Sequence, residues 1–213
     1  MGEQKGMPRI TKIQNEKHYP YRATVYVDEE FYMQIDPEIV YSFGLKEGRE
    51  IGEEELKEIA ERDAYLRGKE QALRFLRFRA RTEQEVREKL KKSGFDKEVT
   101  QQIIGFLKEY GFVNDEQLVK QIIESQRQKY GKNRIIQELS RRGIGEALIQ
   151  KGIAELDEEE EYEKALQLAQ KKKEEIRDTD PRKAYGKVGR YLVQKGYDYE
   201  LAVKVLKKVF PFS

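Results

Sequence analysis

The chain has 213 residues, of which 38% are hydrophobic and 38% are charged, and its net charge is +2. That length allows one or two domains, and so high a charged fraction favours small helical packing units over one thick sandwich or barrel. The longest run without a charged residue, Val99 to Leu107, has nine residues, whereas a membrane-spanning helix needs roughly 18, so we expect no membrane partner.

Residues 9–35 form the region in which apolar and polar residues alternate. The pattern predicts a β-hairpin around the polar turn at residues 28–30, with residues 9–15 as a third strand. The apolar residues that we assign to the strand faces are Tyr21, Ala23, Val25 and Val27, then Phe31, Met33 and Ile35.

A short helix is predicted directly after these strands. Asp36 and Pro37 have the chemistry of an N-cap and a first helical residue, and Gly44 is suited to end the helix. The strands and this helix together predict a small β-rich cap over residues 1–52.

From residue 53 onward the pattern is helical, and one spacing of apolar residues and glycine occurs three times. The glycines are Gly94, Gly143 and Gly196, which are 49 and 53 positions apart. Each unit is a helix, a glycine-containing turn and a second helix, preceded by a third helix. The apolar positions that recur around the glycines are Val86, Leu90 and Phe95, then Ile135, Leu139 and Ile144, then Val188, Leu192 and Tyr197. The same offsets carry Val99, Ile104 and Leu107 onto Leu148, Ile153 and Leu156, then onto Leu201, Leu206 and Val209.

We therefore predict a mainly α fold in which three tandem three-helix repeats follow the cap in an elongated, curved array. A three-helix unit of about 50 residues buries its apolar faces poorly alone, and stacking on a neighbour supplies the missing contacts. Thr82 with Glu85 forms a capping box, and Asn114 and Asp180 stand at further helix starts. The predicted repeats cover residues 53–113, 114–156 and 157–213.

The composition gives little material for catalysis. There is no cysteine and only one histidine, His18, which we assign to a loop. Nucleophile–base pairs and thiolate or multi-histidine metal sites are therefore not expected, and we predict no enzymatic activity, no metal and no cofactor. Gly186 and Gly189 have the G-x-x-G spacing of the nucleic-acid-binding loop of a KH domain. Their neighbours continue an amphipathic helix, so we do not expect such a loop here. Without an apolar signal-peptide core, the chain is expected to be cytoplasmic.

The charges are unevenly distributed along the chain. Residues 1–62 carry 9 basic and 14 acidic side chains, residues 63–156 carry 20 and 14, and residues 157–213 carry 13 and 12. The excess of six positive charges in the middle segment indicates a polyanionic partner or an acidic protein surface. A solvated helical surface with an accidental excess is the alternative.

Two sets of basic residues are candidates for partner contacts. On the helix predicted to run to Ala80, four arginines fall within an arc of about 80°, as a stripe that follows phosphates or an acidic groove would. Their alternative role is to pair with the acidic cap or with Glu83 and Glu85. The second set lies near the ends of the middle helices, where cations also favour the helix dipole. The four arginines are Arg67, Arg74, Arg77 and Arg81, and the second set is Lys89, Lys91, Arg134, Arg141, Arg142, Lys187 and Arg190.

Residues 79–95, which read RARTEQEVREKLKKSGF, resemble the signature R-x-R-S/T-E-x-E-L-R-x-K-L-x-x-x-G-F of the RecX family of bacterial recombinase regulators. The resemblance continues at Tyr110 to Asp115, at Gly131 to Ile135 and at Arg142 to Ile144, and it covers roughly residues 64–210. Residues 1–52 look like the N-terminal extension that some members carry.

The resemblance implies a regulator without chemistry of its own. Such proteins lie in the groove of the RecA filament on single-stranded DNA and inhibit ATP hydrolysis, strand exchange and co-protease activity. The expected partners are therefore the RecA filament and single-stranded DNA, and we expect a monomer when the protein is free. A stand-alone nucleic-acid-binding regulator and a helical protein-interaction scaffold are the alternatives.

Overall fold

The computed structural model describes residues 7–18, 21–177 and 180–211. The chain is mainly helical after an N-terminal antiparallel sheet, in which β2 (Ala23–Val27) lies between β1 (Ile10–Asn15) and β3 (Glu30–Ile35). The helices of the described residues are α1 (Pro37–Ser42), α2 (Glu53–Leu76), α3 (Glu83–Lys92), α4 (Lys97–Glu109), α5 (Asp115–Gln126), α6 (Lys132–Arg141), α7 (Glu146–Ile153), α8 (Glu158–Glu175), α9 (Pro181–Gln194) and α10 (Tyr199–Val209).

The cap packs one face of its sheet against α1 and the start of α2. Ile10, Val25 and Ile35 of the sheet share a buried core with Ile39 of α1 and Ile59 of α2. The predicted helix start is confirmed, since the Asp36 side chain accepts a hydrogen bond from the N–H of Glu38. The predicted end is confirmed as well, since Gly44 has a φ of +58°.

Two aromatic residues that we assigned to the strand faces lie outside the core. Tyr21 precedes β2 and is exposed. Phe31 is exposed as well, because the pairing of β2 with β3 shifts register between Val25 and Tyr26, which sets Phe31 beside Tyr26. A shift of one residue moves a side chain to the opposite face of a sheet, so the simple alternation misplaced Phe31.

A buried carboxylate links the sheet to α2. Asp63 is 3% exposed, and its Oδ2 accepts hydrogen bonds from Arg22 Nη2 at 2.8 Å and from Arg67 Nε at 2.7 Å. Its Oδ1 accepts a hydrogen bond from the backbone N–H of Asp36 at 2.9 Å. Arg22 also donates to the carbonyl of Gln34. The Asp63 side chain therefore joins the residue before β2 to the start of α1, and Arg22 extends this link to β3.

The predicted three-helix pattern is confirmed in each repeat. The middle helices α3, α6 and α9 bury their predicted apolar residues completely, from Val86 and Leu90 to Val188 and Leu192. Gly94, Gly143 and Gly196 all have positive φ values of 78° to 92°. At each glycine the next residue donates its N–H to the carbonyl five positions earlier, which is the hydrogen bond that closes a helix before a turn.

In the last helix of each repeat, one of the positions buried in all three lies next to a position that we predicted. We chose the third residue after the N-cap, but Leu148 and Leu201 are only half-buried there. The fourth residue after the N-cap is buried each time, as Thr100, Ile149 and Ala202. The polar threonine concealed this equivalence in the sequence.

The chain divides into two compact units. The first holds the sheet, α1, α2 and residues 86–112, and the second holds residues 80–85 and the chain from Val113 onward. The boundaries that we predicted for the cap and the three repeats stay a prediction.

Within the second unit, the N-terminus of α3 is held by residues of the second repeat. Thr82 Oγ1 donates a hydrogen bond to the carbonyl of Arg142 at 2.7 Å, and the N–H of Glu83 donates to Asp115 Oδ1 at 2.9 Å. The predicted capping box is confirmed by reciprocal hydrogen bonds between Thr82 and Glu85. A carboxylate at this end of α3 also interacts favourably with the helix dipole.

The N-terminus of α6 makes the equivalent contacts with the third repeat, 49 positions later in the chain. The N–H of Gly131 donates to the carbonyl of Lys195 at 2.9 Å, and the N–H of Lys132 donates to Glu161 Oε1 at 3.0 Å. A Cβ on Gly131 would lie 2.6 Å from the backbone of Gly196. Glycine therefore allows a backbone contact at the position where α3 uses a threonine hydroxyl.

Tyr197 lies in the core of the third repeat, and its burial is expected to make the protein less stable at alkaline pH. Burial, with a contribution from the nearby Glu161 carboxylate, raises the pKa of Tyr197 to about 12. The unfolded chain loses this proton at about pH 10, whereas the folded protein keeps it, so stability falls as the pH rises from about 10 to about 12. We expect Tyr197→Phe to flatten this part of a plot of unfolding free energy against pH, measured by urea unfolding.

The same variant has an expected effect at neutral pH. The Tyr197 hydroxyl is buried and has no hydrogen-bond partner among the residues that the structure describes. Removing an unpaired buried hydroxyl is expected to raise the free energy of unfolding by about 1 kcal/mol. Tyr199→Phe, at an exposed tyrosine of α10, is the matched control and should change neither quantity. A variant of Tyr197 with the wild-type pH profile would contradict the assignment.

Candidate partner-binding surface

The helix that carries the predicted arginine stripe is shorter than we predicted. α2 ends at Leu76, Arg77 is its C-cap, and Arg81 lies in the segment that leads to α3. We extended this helix to Ala80 and counted Arg81 with it, whereas the predicted capping box at Thr82 starts a new helix directly after Arg81. Arg67, Arg74 and Arg77 remain exposed on α2 or its C-cap, whereas Arg81 does not belong to this helix.

The exposed arginines of α2 are partly engaged with carboxylates. Arg67 donates to the buried Asp63 and lies with its guanidinium carbon 5.8 Å from the centre of the Phe95 ring. Arg74 donates to Glu70 one turn earlier, at 2.7 Å. Exposed pairs of this kind contribute little to stability, so the Arg74 guanidinium can exchange Glu70 for another anion at low cost.

Arg81 and Arg142 instead meet at one carboxylate inside the second unit. Arg142 Nη2 donates to Glu85 Oε2 at 2.8 Å and to the carbonyl of Ala80 at 2.9 Å. Arg81 Nη1 lies 3.8 Å from Glu85 Oε1. The Arg142 side chain is only 10% exposed. This arrangement favours the structural alternative that we named for Arg81, and it gives Arg142 a structural role as well.

The contact between α6 and the third repeat brings two basic regions of the sequence together around tyrosine rings. Lys195 Nζ lies 5.0 Å from the centre of the Tyr130 ring and 5.6 Å from that of Tyr191. Arg134 lies 5.9 Å from the Tyr130 ring, and Lys172 lies 5.3 Å from the Tyr191 ring. We call Tyr130, Arg134, Lys172, Tyr191 and Lys195 the tyrosine–lysine patch. Amphipathic rings beside several cations suit contact with phosphates or acidic side chains.

The candidate set from the sequence included Arg134 of this patch but not Lys172 or the two tyrosines. Tyr130 and Tyr191 are 61 positions apart and come together only through the contact of Gly131 with the turn at Gly196. The glycine that directly follows Tyr130 was the signal available in the sequence, because a glycine at a helix start allows close backbone approach.

The other predicted cations lie on helix surfaces. Arg141 is 76% exposed and donates to Glu138 one turn earlier. The last turn of α3 contributes the half-buried Lys89 and the exposed Lys91. α9 contributes Lys187 and Arg190, both exposed.

The carboxylates with a lowered pKa are paired with lysines outside the candidate set. A hydrogen bond from Lys151 lowers the pKa of Glu116, and a hydrogen bond from Lys164 lowers the pKa of Glu160. His18 is exposed in a bend after β1. Among the described residues, no group of three or more histidine and carboxylate side chains is placed to hold a metal ion.

In the described ranges, every helix is too short or too polar to span a bilayer.

Models of four RecX domains match the chain along most of its length. The model described as the regulatory protein RecX N-terminal domain matches residues 8–52. The models of the first, second and third three-helix domains of RecX match residues 69–107, 114–154 and 158–206. The cap and the three helical repeats each have a counterpart in these models.

Relatives and solved structures agree with these matches. "Regulatory protein RecX" of Clostridioides difficile (strain 630) is 40% identical over 206 residues, which are 96% of this chain and 97% of that protein. The protein of the same name from Clostridium beijerinckii is 38% identical over 205 residues, 95% of this chain and 96% of that protein.

A solved structure titled "Crystal structure of regulatory protein RecX" has a TM-score of 0.70 at 24% identity and covers 93% of this chain and 98% of its own. A second, of RecX from Lactobacillus salivarius, has a TM-score of 0.64 at 22% identity and covers 70% of this chain and 99% of its own. At these identities the likeness shows the fold.

Proposed function

Because the chain belongs to the RecX family of regulatory proteins, we propose that it binds the filament that the RecA recombinase forms on single-stranded DNA and inhibits its ATP hydrolysis, strand exchange and co-protease activity. The observation that carries the proposal is the match of four RecX domain models to residues 8–52, 69–107, 114–154 and 158–206. The protein acts by binding and performs no chemistry of its own, as a monomer in the cytoplasm.

The charge distribution supports a polyanionic partner. Residues 63–156 carry six more basic than acidic side chains, and the tyrosine–lysine patch adds cations of the third repeat. Cations on well-ordered helices present several charge-assisted contacts at fixed spacing, which suits a regular polymer such as a nucleoprotein filament.

We propose the exposed cations, with the half-buried Lys89 and Lys195, as contacts and leave Arg81 and Arg142 in structural roles beside Glu85. Lys195 joins the proposed contacts through its place between two tyrosine rings. The other proposed contacts are Arg67, Arg74, Arg77, Lys89, Lys91, Arg134, Arg141, Lys187 and Arg190.

The direct test is the rate of DNA-dependent ATP hydrolysis by RecA with the purified protein added. The proposal expects a slower rate at ratios near or below one to one. An unchanged rate at several-fold excess would exclude it. Sequence-specific duplex binding that survives moderate salt would favour a stand-alone nucleic-acid-binding regulator instead, because phosphate-driven complexes weaken steeply with salt. If the protein shows neither behaviour, a helical protein-interaction scaffold is the remaining alternative.

Charge reversal on α2 tests the proposed contacts. We expect Arg74→Glu with Arg77→Glu to weaken binding to the RecA filament on the order of tenfold, at ~0.7 kcal/mol for each residue. The measurement is fluorescence anisotropy of a labelled single strand coated with RecA. Both side chains are exposed, so the melting temperature should stay within a degree or two of the wild type, which circular dichroism checks.

A matched variant changes the net charge by the same amount at two exposed lysines of the first unit. Lys46→Glu with Lys57→Glu alters two exposed cations outside the proposed set and should bind the filament as the wild type does. Equal weakening by both double variants would mean that net charge alone sets the affinity, and it would remove Arg74 and Arg77 from the contact residues.

A further inference from the structure

Three aromatic rings lie together on the surface of the first unit, at the end of α4. The Phe106 ring centre is 4.7 Å from that of Tyr110 and 6.1 Å from that of Phe112, with interplanar angles of 36° and 26°. Tyr110 is 64% exposed and Phe112 is 49% exposed. The Tyr110 and Phe112 rings therefore both lie close to the half-buried Phe106 ring, tilted from it by 26–36°, and both are open to solvent.

Cations of α2 lie over the neighbouring ring faces. Lys69 Nζ is 5.2 Å from the centre of the Phe106 ring and 5.6 Å from that of Tyr65. The Arg62 guanidinium carbon is 5.4 Å from the centre of the same tyrosine ring. We call Arg62, Tyr65, Lys69, Phe106, Tyr110 and Phe112 the aromatic platform.

The exposed rings of the platform are not needed for the core of α4. That helix buries Ile103, Ile104 and Leu107 completely or almost so, and these residues supply its packing. A contiguous exposed apolar surface on a soluble protein is typical of a binding site. Packing of the helical repeat therefore does not explain why the aromatic platform has exposed rings.

We infer that the aromatic platform binds unpaired bases of a single-stranded nucleic acid, with the rings stacking on bases and Lys69 and Arg62 contacting the phosphates. An apolar peptide on the same rings would bury the Lys69 ammonium without a counter-charge, which is costly. A nucleic acid strand supplies both a flat π face for each ring and an anionic phosphate for each cation. The inference takes its single-stranded partner from the proposed function and assigns to it residues that the basic candidates do not include.

The test compares two single strands that differ in their bases. Fluorescence anisotropy measures the affinity of the protein for an oligothymidylate of about 16 nucleotides, and for an abasic strand of the same length and charge. We expect Tyr110→Leu with Phe112→Leu to weaken binding to oligothymidylate by about 10- to 100-fold, because the double variant removes both exposed stacking rings. Binding to the abasic strand should stay as in the wild type, because the cations are unchanged.

Tyr41→Leu is the matched control, since Tyr41 is a 90% exposed aromatic residue of the same unit outside the platform, and it should bind both strands as the wild type does. Tyr110→Trp keeps a stacking ring and should retain affinity for oligothymidylate, which guards against misfolding of the double variant. An equal loss on both strands, no loss on oligothymidylate, or weak binding by a folded Tyr110→Trp protein would each overturn the inference.

Inhibition of RecA ATP hydrolysis separates this inference from the proposed function. A wild-type protein that inhibits RecA but binds neither free strand would overturn the platform assignment and leave the proposed function standing. A double variant that binds oligothymidylate normally but no longer inhibits RecA would show that the platform contacts protein, which also overturns the inference.

Discussion

Replacing Asp63 by alanine is expected to lower the free energy of unfolding by about 3–5 kcal/mol, the cost of removing one partner from a buried ion pair. The substitution leaves the Arg22 guanidinium, which is itself largely buried, without its carboxylate. It also leaves the N–H of Asp36 without its acceptor at the start of α1. Asp63→Asn keeps the shape of the side chain but not its charge, so a smaller loss is expected. Urea unfolding followed by circular dichroism measures both.

The matched control lies two turns further along the same helix. Glu70 forms an ion pair with Arg74 in which both side chains are more than half exposed, and Glu70→Ala is expected to change stability by less than about 0.5 kcal/mol. Similar losses from Asp63→Ala and Glu70→Ala would mean that the buried cluster does not hold the sheet onto α2.

Two adjacent arginines give the second large contrast. Arg142→Ala removes the side chain that bridges Glu85 and the Ala80 carbonyl, and we expect it to lower the free energy of unfolding by roughly 2–3 kcal/mol. This is less than for a fully buried pair, because Arg81 still lies 3.8 Å from Glu85. Arg141→Ala, at a 76% exposed side chain, is expected to be nearly neutral.

The filament assay gives the opposite expectation for this pair. Arg141→Ala should weaken filament binding at unchanged stability, whereas Arg142→Ala, measured well below its melting temperature, should bind as the wild type does. An Arg142→Ala protein of wild-type stability that binds weakly would return Arg142 to the contact residues.

Local backbone chemistry made much of the fold predictable. Each glycine-containing turn, the capping box at Thr82 and the Asp36 N-cap depend on residues within a few positions of one another, and the structure confirms all of them. The register shift that exposes Phe31 depends instead on how two strands pair, which alternation along one strand does not specify.

The buried polar clusters could not be predicted because their members are distant in the sequence. In the sequence, Asp63 cannot be distinguished from the exposed carboxylates of the same charged helix, because its partner Arg22 is 41 positions away. Arg141 and Arg142 are neighbours with the same chemistry, and only their positions at the end of α6 make one exposed and the other buried.

The candidate surface was predictable as a set of cations but not as an arrangement. Charge counting located the basic middle segment, but Lys69 and Phe106 are 37 positions apart and meet only because α2 packs against α4. The resemblance to RecX sequences identified the family, and the four matching domain models confirm it. The contact residues themselves stay a proposal.

The backbone N–H of the first residue of a middle helix contributes to the stacking of the next repeat. Glu83 and Lys132 donate their backbone N–H groups to a carboxylate of the following repeat. The equivalent residue of α9 is Pro181, which has no N–H to give, and the Asp180 side chain bonds the next N–H locally. A designer who wished to graft a fourth module onto α9 would therefore first have to replace this proline.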